Sequence, residues 1–178
     1  MESCTGATQE REEGMEHKFG LFNTVEELNR AAAAQKEEGD TEALYALAAE
    51  NGIAREDVDD YLDGVADELA TPLMAALGKL DLEAAVLDLE SQLADWKDYI
   101  AAMCTDSEEM SRAVFRPDRE LAQVLADAIR HASANRVYVP GRITRLAGLP
   151  DRIPIGMTGR DELRRIAEKY YLDKETGK

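Results

Sequence analysis

From residue 19 onward the chain alternates short stretches of apolar side chains at helical spacing with residues that stop a helix. Thr24 stands before Val25-Glu26-Glu27. That is a capping box, in which the threonine hydroxyl and the Glu27 carboxylate serve free amides at a helix start. The helix so begun runs to about Glu38 and stops at Gly39. Asp40 or Thr41 opens a second helix with Leu44, Leu47 and Ala48 on its inner face, and Asn51-Gly52 supplies its left-handed end. A third helix is expected from about Arg55 to Gly64 or beyond. Thr71-Pro72 is a cap followed by proline at the first helical position, where its missing N–H is no loss. Leu82, Val86, Leu89, Leu93, Trp96, Ile100 and Met103 then fall at 4-3-4-3-4-3 spacing, a heptad seam. One helix carrying that seam would be roughly 33 Å long and form the central strut.

Past the seam, Ser107 to about Val114 reads as a short helix. Pro117-Asp118 starts another, with Leu121, Val124, Leu125, Ala128 and Ile129 turned inward. The pattern loosens after Asn135. Val137-Tyr138-Val139 and Ile153-Pro154-Ile155 suit the two halves of a small hairpin, with a short helix from Gly141 to Ala147 between them. Thr158 is expected to cap the last helix, which buries Leu163, Ile166, Ala167 and Tyr170 and turns Arg160, Arg164, Arg165 and Lys169 to solvent.

These elements give an all-α, single-domain helical bundle of seven or eight helices with a long central helix and a minor two-strand hairpin near the C-terminus. Composition agrees. With 10 aromatic residues among 178, the core has to be built from Leu, Ala, Val and Ile. The expected organisation is a disordered tail over residues 1–18, an acidic bundle over 19–135, and a basic C-terminal lobe over 136–178 packed on the bundle. Cys4 and Cys104 are the only thiols, too few for a disulfide framework, which points to a reducing compartment. No apolar run approaches the ~18 residues of a membrane span, and the N-terminus lacks a signal-peptide pattern. The expected location is the cytoplasm of a bacterial host cell, with no membrane partner.

Charge changes this picture most. Residues 1–115 hold 8 Lys/Arg against 28 Asp/Glu, a net of −20, while residues 116–178 hold 13 against 9, a net of +4. Such a field steers association with a basic partner and repels nucleic acid. The acids concentrate at Glu56, Asp57, Asp59, Asp60, Asp63, Asp67 and Glu68. Leu47, Ala48, Gly52, Ile53, Val58 and Tyr61 stand at the offsets of a helix-turn-helix, but a carboxylate face in the reading position denies the counterion release on which DNA affinity rests. The face is read either as a set of carboxylates offered to Arg and Lys of a partner protein or as a solvated surface that keeps the chain soluble. A calcium loop starting at Asp59 fails, because Tyr61 and Ala70 occupy ligand positions.

Arg142, Arg145, Arg160, Arg164 and Arg165 form the candidate nucleic-acid-binding set, since planar guanidinium forks suit phosphate. The competing reading pairs them with the acidic half of the same molecule. Leu89, Leu93, Trp96 and Ile100 are read first as core and second as a homodimer seam, with Trp96 its natural hot spot. His17 and His131 lack Cys, His or Asp partners at ligand or triad spacing. No phosphate-binding glycine loop or nucleophile elbow is present. No catalytic residue, metal or cofactor is expected, and the chain is read as a binding protein.

The stretches Phe19-Gly20-Leu21-Phe22, Glu26 through Gln35, Leu47-Ala48-Ala49-Glu50-Asn51-Gly52-Ile53, Thr71 through Lys79 and Trp96-Lys97-Asp98-Tyr99-Ile100 resemble small acidic proteins of bacterial mobile elements. Within that group the chain is similar to type II anti-CRISPR proteins, inhibitors of the Cas9 nuclease, over about residues 18 to 172. The resemblance implies stoichiometric binding to Cas9 or the Cas9–guide RNA complex through the acidic helical face. Cas9 holds its nucleic acids in cationic channels and reads a short duplex with arginines, so an acidic protein would compete there. The alternative expectation is a DNA-associated accessory protein acting through the basic lobe. A third is an antitoxin-like mask for a basic toxin.

Overall fold

Caps and left-handed residues set the helix boundaries in residues 18–173, the part of the chain that the computed structural model describes. The tail expected over residues 1–18 lies almost wholly outside the described residues. Helix α1 spans Val25–Glu38, with Thr24 accepting from the Glu27 amide at 3.2 Å. The Glu27 carboxylate reaches the amide of Asn23 at 2.9 Å, so the box closes one residue earlier than its usual form. Gly39, at φ 72°, ends α1. Asp40 caps α2 (Thr41–Glu50) and Thr71 caps α4 (Pro72–Val86), each through the amide three residues on. Between them lies α3 (Arg55–Leu62).

The single long central helix is not formed. Residues Leu82–Met103 are divided between α4 and α5 (Ser91–Asp106). After Leu87 the chain turns at Asp88, φ 53°, where the Asp88 amide bonds to Ala85 O at 3.3 Å and the Leu89 amide to Ala84 O at 3.1 Å. This is the 5→2 and 6→1 pair of a Schellman end, with aspartate, whose short polar side chain tolerates the left-handed region, where glycine is usual. Helices α6 (Glu108–Phe115) and α7 (Leu121–Ala134) follow. Pro117-Asp118 does not start α7. Arg116 clamps Asp118 through Nε and Nη2 at 3.0 and 2.7 Å, and the helix begins after Glu120.

The start of α7 has no side-chain cap of its own. Remote groups take that role. The Glu120 amide donates to Tyr170 Oη at 2.9 Å and the Leu121 amide to Glu83 Oε2 at 2.8 Å. Glu83 also pairs with Lys79 one turn earlier on α4, at 2.9 Å, and the Lys79 ammonium donates to the carbonyls of Val114 and Arg119. One i,i+4 pair therefore satisfies an open helix end on each side of the α6–α7 connection.

The described residues finish with β1 (Val137–Tyr138), α8 (Gly141–Leu146), β2 (Pro154–Ile155) and α9 (Arg160–Tyr171). The strands are antiparallel, Val137 opposite Ile155 and Tyr138 opposite Pro154, as the pattern predicts. Thr158 does not cap α9. It is buried and donates to the Ala128 carbonyl at 2.7 Å, tying the end of the hairpin to α7, and Gly159 takes the cap position.

Nine helices and one two-strand hairpin among the described residues make an all-α domain. Its apolar side chains form two clusters. One gathers Leu28, Leu44, Leu47, Val58, Tyr61 and Leu69 from α1 to α3 and the following loop, with Ala75 of α4 and Phe115. The other gathers Leu80, Ile100, Met110, Leu121, Leu163 and Tyr171. Helix α9 contributes Leu163, Ala167 and Tyr171 to this main core. Where α2 turns into α3 the backbone crosses α4 so closely that a Cβ on Gly78 would lie 2.5 Å from Asn51 O and 2.6 Å from Gly52 O. A side chain at either glycine would force the two elements apart.

Candidate interaction surfaces

The carboxylates of residues 56–68 sit on a platform fixed from below. Val58 and Tyr61, three apart on α3, are buried and hold one helix face down. The other face is acid. Glu56, Asp59, Asp60, Asp63, Asp67 and Glu68 are exposed and Asp57 is half-buried. Glu56 and Asp57 lie in the first turn, where the helix dipole favours them, whereas Asp63 lies at the C-terminal end, where it is disfavoured. The loop beyond is pinned. Asn29 of α1 donates to Ala70 O at 2.9 Å and accepts from the Ala70 amide at 3.0 Å, and it also reaches Glu68 at 3.4 Å. Lys36 donates to the Tyr61 carbonyl, with its ammonium 4.1 Å from the Tyr61 ring centre. Burial, with Glu37 and Glu68 nearby, raises the Tyr61 hydroxyl above its ordinary pKa.

Among the described residues, no ion pair involves any of these seven carboxylates. Asp59 accepts a hydrogen bond from Tyr45 Oη, and Arg55 lies over the Tyr45 ring at 4.4 Å. The reading that pairs the C-terminal arginines with the acidic half of the same molecule is corrected, since among the described residues no ion pair joins Arg142, Arg145, Arg160, Arg164 or Arg165 to an acid of residues 1–115. Arg145 faces Asp151 at 3.6 Å, Arg165 pairs with Glu162, Arg164 donates to Tyr99 Oη at 3.2 Å, and Arg160 lies 5.8 Å from the Tyr99 ring centre. Arg142 is exposed on α8. The candidate basic set is thus split: Arg142 and Arg145 stand on α8 while Arg160, Arg164 and Arg165 belong to α9.

The heptad residues do not form a continuous seam: Val86 is 44% exposed, and the others are buried or partly buried. Ile100 is fully buried in the main core, and Leu89 and Trp96 pack partly buried against the same cluster. Leu93 and Trp96 share a shallow groove with Ile129, Ala132 and Gly156. The helix break at Asp88 removes the straight ridge on which a paired coiled coil depends.

Sequence reasoning missed a second surface. Within residues 136–157 the side chains of Val137, Tyr138, Ile143, Leu146, Leu149 and Met157 are all more than half exposed. The same stretch holds four arginines, Arg136, Arg142, Arg145 and Arg152, against the single acid Asp151. The signal was present as apolar residues with no matching helical stripe to receive them. Thr144 of α8 is buried and donates to the Gly141 carbonyl at 3.1 Å within the lobe, while Gly156 brings the hairpin close to the end of α7. A Cβ on Gly156 would fall 2.1 Å from Ala132 O.

A groove of about 350 Å³ runs beside the end of α4. Leu82, Val86, Leu87, Phe115 and Pro117 line it together with Glu50, Glu120 and the paired Lys79 and Glu83. Among the described residues no group of three or more His, Cys, Asp and Glu is placed to hold a metal ion, and no helix is long and apolar enough to cross a membrane. His131 Nε2 lies 3.4 Å from Glu162 Oε1. Comparison with protein-family models, with curated proteins and with solved structures found no match.

Proposed function

We propose that this protein is a stoichiometric inhibitor that binds a cationic, nucleic-acid-handling protein through the carboxylates of residues 56–68, and that this partner is Cas9 or its guide RNA complex. The observation that supports it is the absence of any ion pair to those seven carboxylates among the described residues. Like charges crowded on a short helix and its loop repel one another, and a binding surface is a reason to retain them. Each is available to an arginine or lysine fork of a partner. The resemblance of residues 18 to 172 to type II anti-CRISPR proteins points to Cas9, whose channels have the complementary sign. The action is occupation of a surface. The DNA-binding alternative is weaker, because Arg145, Arg164 and Arg165 are engaged by partners within the molecule.

The test is a titration of guide-directed cleavage with the purified protein, added before or after target DNA, beside a variant carrying Asp59→Lys, Asp60→Lys and Asp63→Lys. Inhibition by the native chain at equimolar ratio, lost in the variant and weakened by salt, is expected. Equal inhibition by the variant removes the acidic face from the mechanism. Absence of inhibition removes Cas9 as the partner.

A further inference from the structure

The basic, apolar lobe and the groove beside α4 are complementary surfaces on one chain. Helix α8 offers Ile143 and Leu146, three apart and therefore on one side, 56% and 82% exposed, with Leu149 beyond them at 52%. Arg142 and Arg145 form the adjacent stripe. The groove has the opposite character. Its lining is mainly aliphatic and aromatic, with Val86 and Leu87 44% and 41% exposed; Lys79 and Glu83 pair with each other there, Glu50 accepts from the amides of Lys18 and Phe19, and Glu120 adds a further negative charge. A cavity of ~150 Å³ admits a benzene ring, so the groove's volume of about 350 Å³ accommodates two aliphatic side chains.

We propose that the protein self-associates by seating α8 of one copy, led by Leu146 and flanked by Arg142, in the groove beside α4 of a second copy. Three considerations select a second copy as the occupant. Both halves of the match, apolar to apolar and guanidinium to carboxylate, are present in this sequence. Each copy has a net charge of −16, so two copies repel except where one presents its cationic stretch. Nucleic acid fits poorly, because phosphate contact leaves exposed Ile143, Leu146 and Leu149 in water. The contact uses none of the seven carboxylates of residues 56–68, and it stands or falls independently of the Cas9 reading.

Sedimentation velocity of the full chain across the micromolar range tests this. Interfaces of ordinary size bind at micromolar dissociation constants or tighter, so the native chain is expected to associate with rising concentration. Leu146→Asp on the lobe and Val86→Asp at the groove should each weaken association about tenfold or more, the scale of a central interface residue. Thermal unfolding by circular dichroism confirms that each variant is folded. An equimolar mixture of the two variants restores association, because one contributes an intact groove and the other an intact lobe. Charge reversal at Arg142→Glu should be relieved by Glu120→Arg. A native chain that stays monomeric throughout overturns the proposal and leaves the lobe to a partner outside the chain. Variants that associate like the native chain, or a mixture that does not associate, overturn it equally.

Discussion

Replacing Gly78 by alanine gives the strictest test of how the acidic platform is held. On helix propensity alone the change should stabilise α4, since glycine in a helix interior costs about 1 kcal/mol relative to alanine. The backbone crossing reverses that sign. The new methyl would sit 2.5 Å from Asn51 O, 2.6 Å from Gly52 O and 2.8 Å from Gly52 C. Carbon contacts become favourable near ~3.5 Å, so the α2–α3 turn has to withdraw by about 1 Å. All three opposing atoms are main chain, and no rotamer change relieves them. Overpacking of this kind costs typically ~1–3 kcal/mol, and fixed backbone places this site at the upper end. The net effect is about 2 kcal/mol of destabilisation, or roughly 4–8 °C in the melting temperature of a domain this size. Urea unfolding followed by circular dichroism measures it as a lower midpoint at unchanged slope. Gly39→Ala is the control. Its φ of 72° imposes left-handed strain with nothing within 4 Å to collide, and it should cost only about 1 kcal/mol. A Gly78→Ala chain as stable as the native one, or more so, refutes the crossing as a constraint.

Other substitutions probe the remaining supports. Glu83→Leu strips the acceptor from the Leu121 amide and the counter-ion from Lys79, whose side chain is 17% exposed. Its cost should be about 2 kcal/mol by urea unfolding. Glu83→Gln keeps the amide acceptor and should lose roughly half as much, and equal losses in both variants would refute the dual role. Asn29→Ala frees the loop at Ala70 and Glu68, which should appear as faster amide exchange over residues 63–70 and weaker partner binding with all acids intact. Burial pushes the Cys104 thiol from 9.0 up to about 11, with a hydrogen bond to Ser111 opposing. The unfolded chain ionises first. This contribution to stability is therefore complete below about pH 9 and lost as pH rises to about 11. Tyr171, raised by burial, acts in the same direction. The urea midpoint should fall over that interval and fall less in Cys104→Val, and an identical fall in both chains would rule the thiol out.

Local chemistry was the legible part of the sequence. Thr24, Asp40 and Thr71 cap where capping rules put them, and Gly39 ends its helix because its left-handed φ brings the Gly39 and Asp40 amides back to the carbonyls of Lys36 and Gln35. The hairpin could be read because β-branched and aromatic residues cluster on either side of a short helix. Long-range partnerships were illegible. The spacing that predicts one helix from Leu82 to Met103 counts apolar residues and is blind to Asp88, whose left-handed turn preserves the count while changing the direction of the chain. Thr158 has the composition of a cap but bonds to Ala128, thirty residues away. No periodicity could have paired Glu83 with Leu121 or brought Tyr170 to Glu120. Of the candidate sites, the acidic face was visible as composition. The lobe at residues 136–157 was visible only as arginine content, because exposure of Ile143 and Leu146 depends on what fails to cover them.

Two apolar clusters that share α4 have a further consequence. Ala75 faces one and Ala76 and Leu80 the other, so α1 to α3 can detach from that helix while the second cluster keeps it folded. Cooperative units of this kind open below the global unfolding free energy. Amides of the platform that carries the carboxylates should then exchange as a group ahead of those in α5 to α7, and a protease acting on the native chain should release the acidic half first.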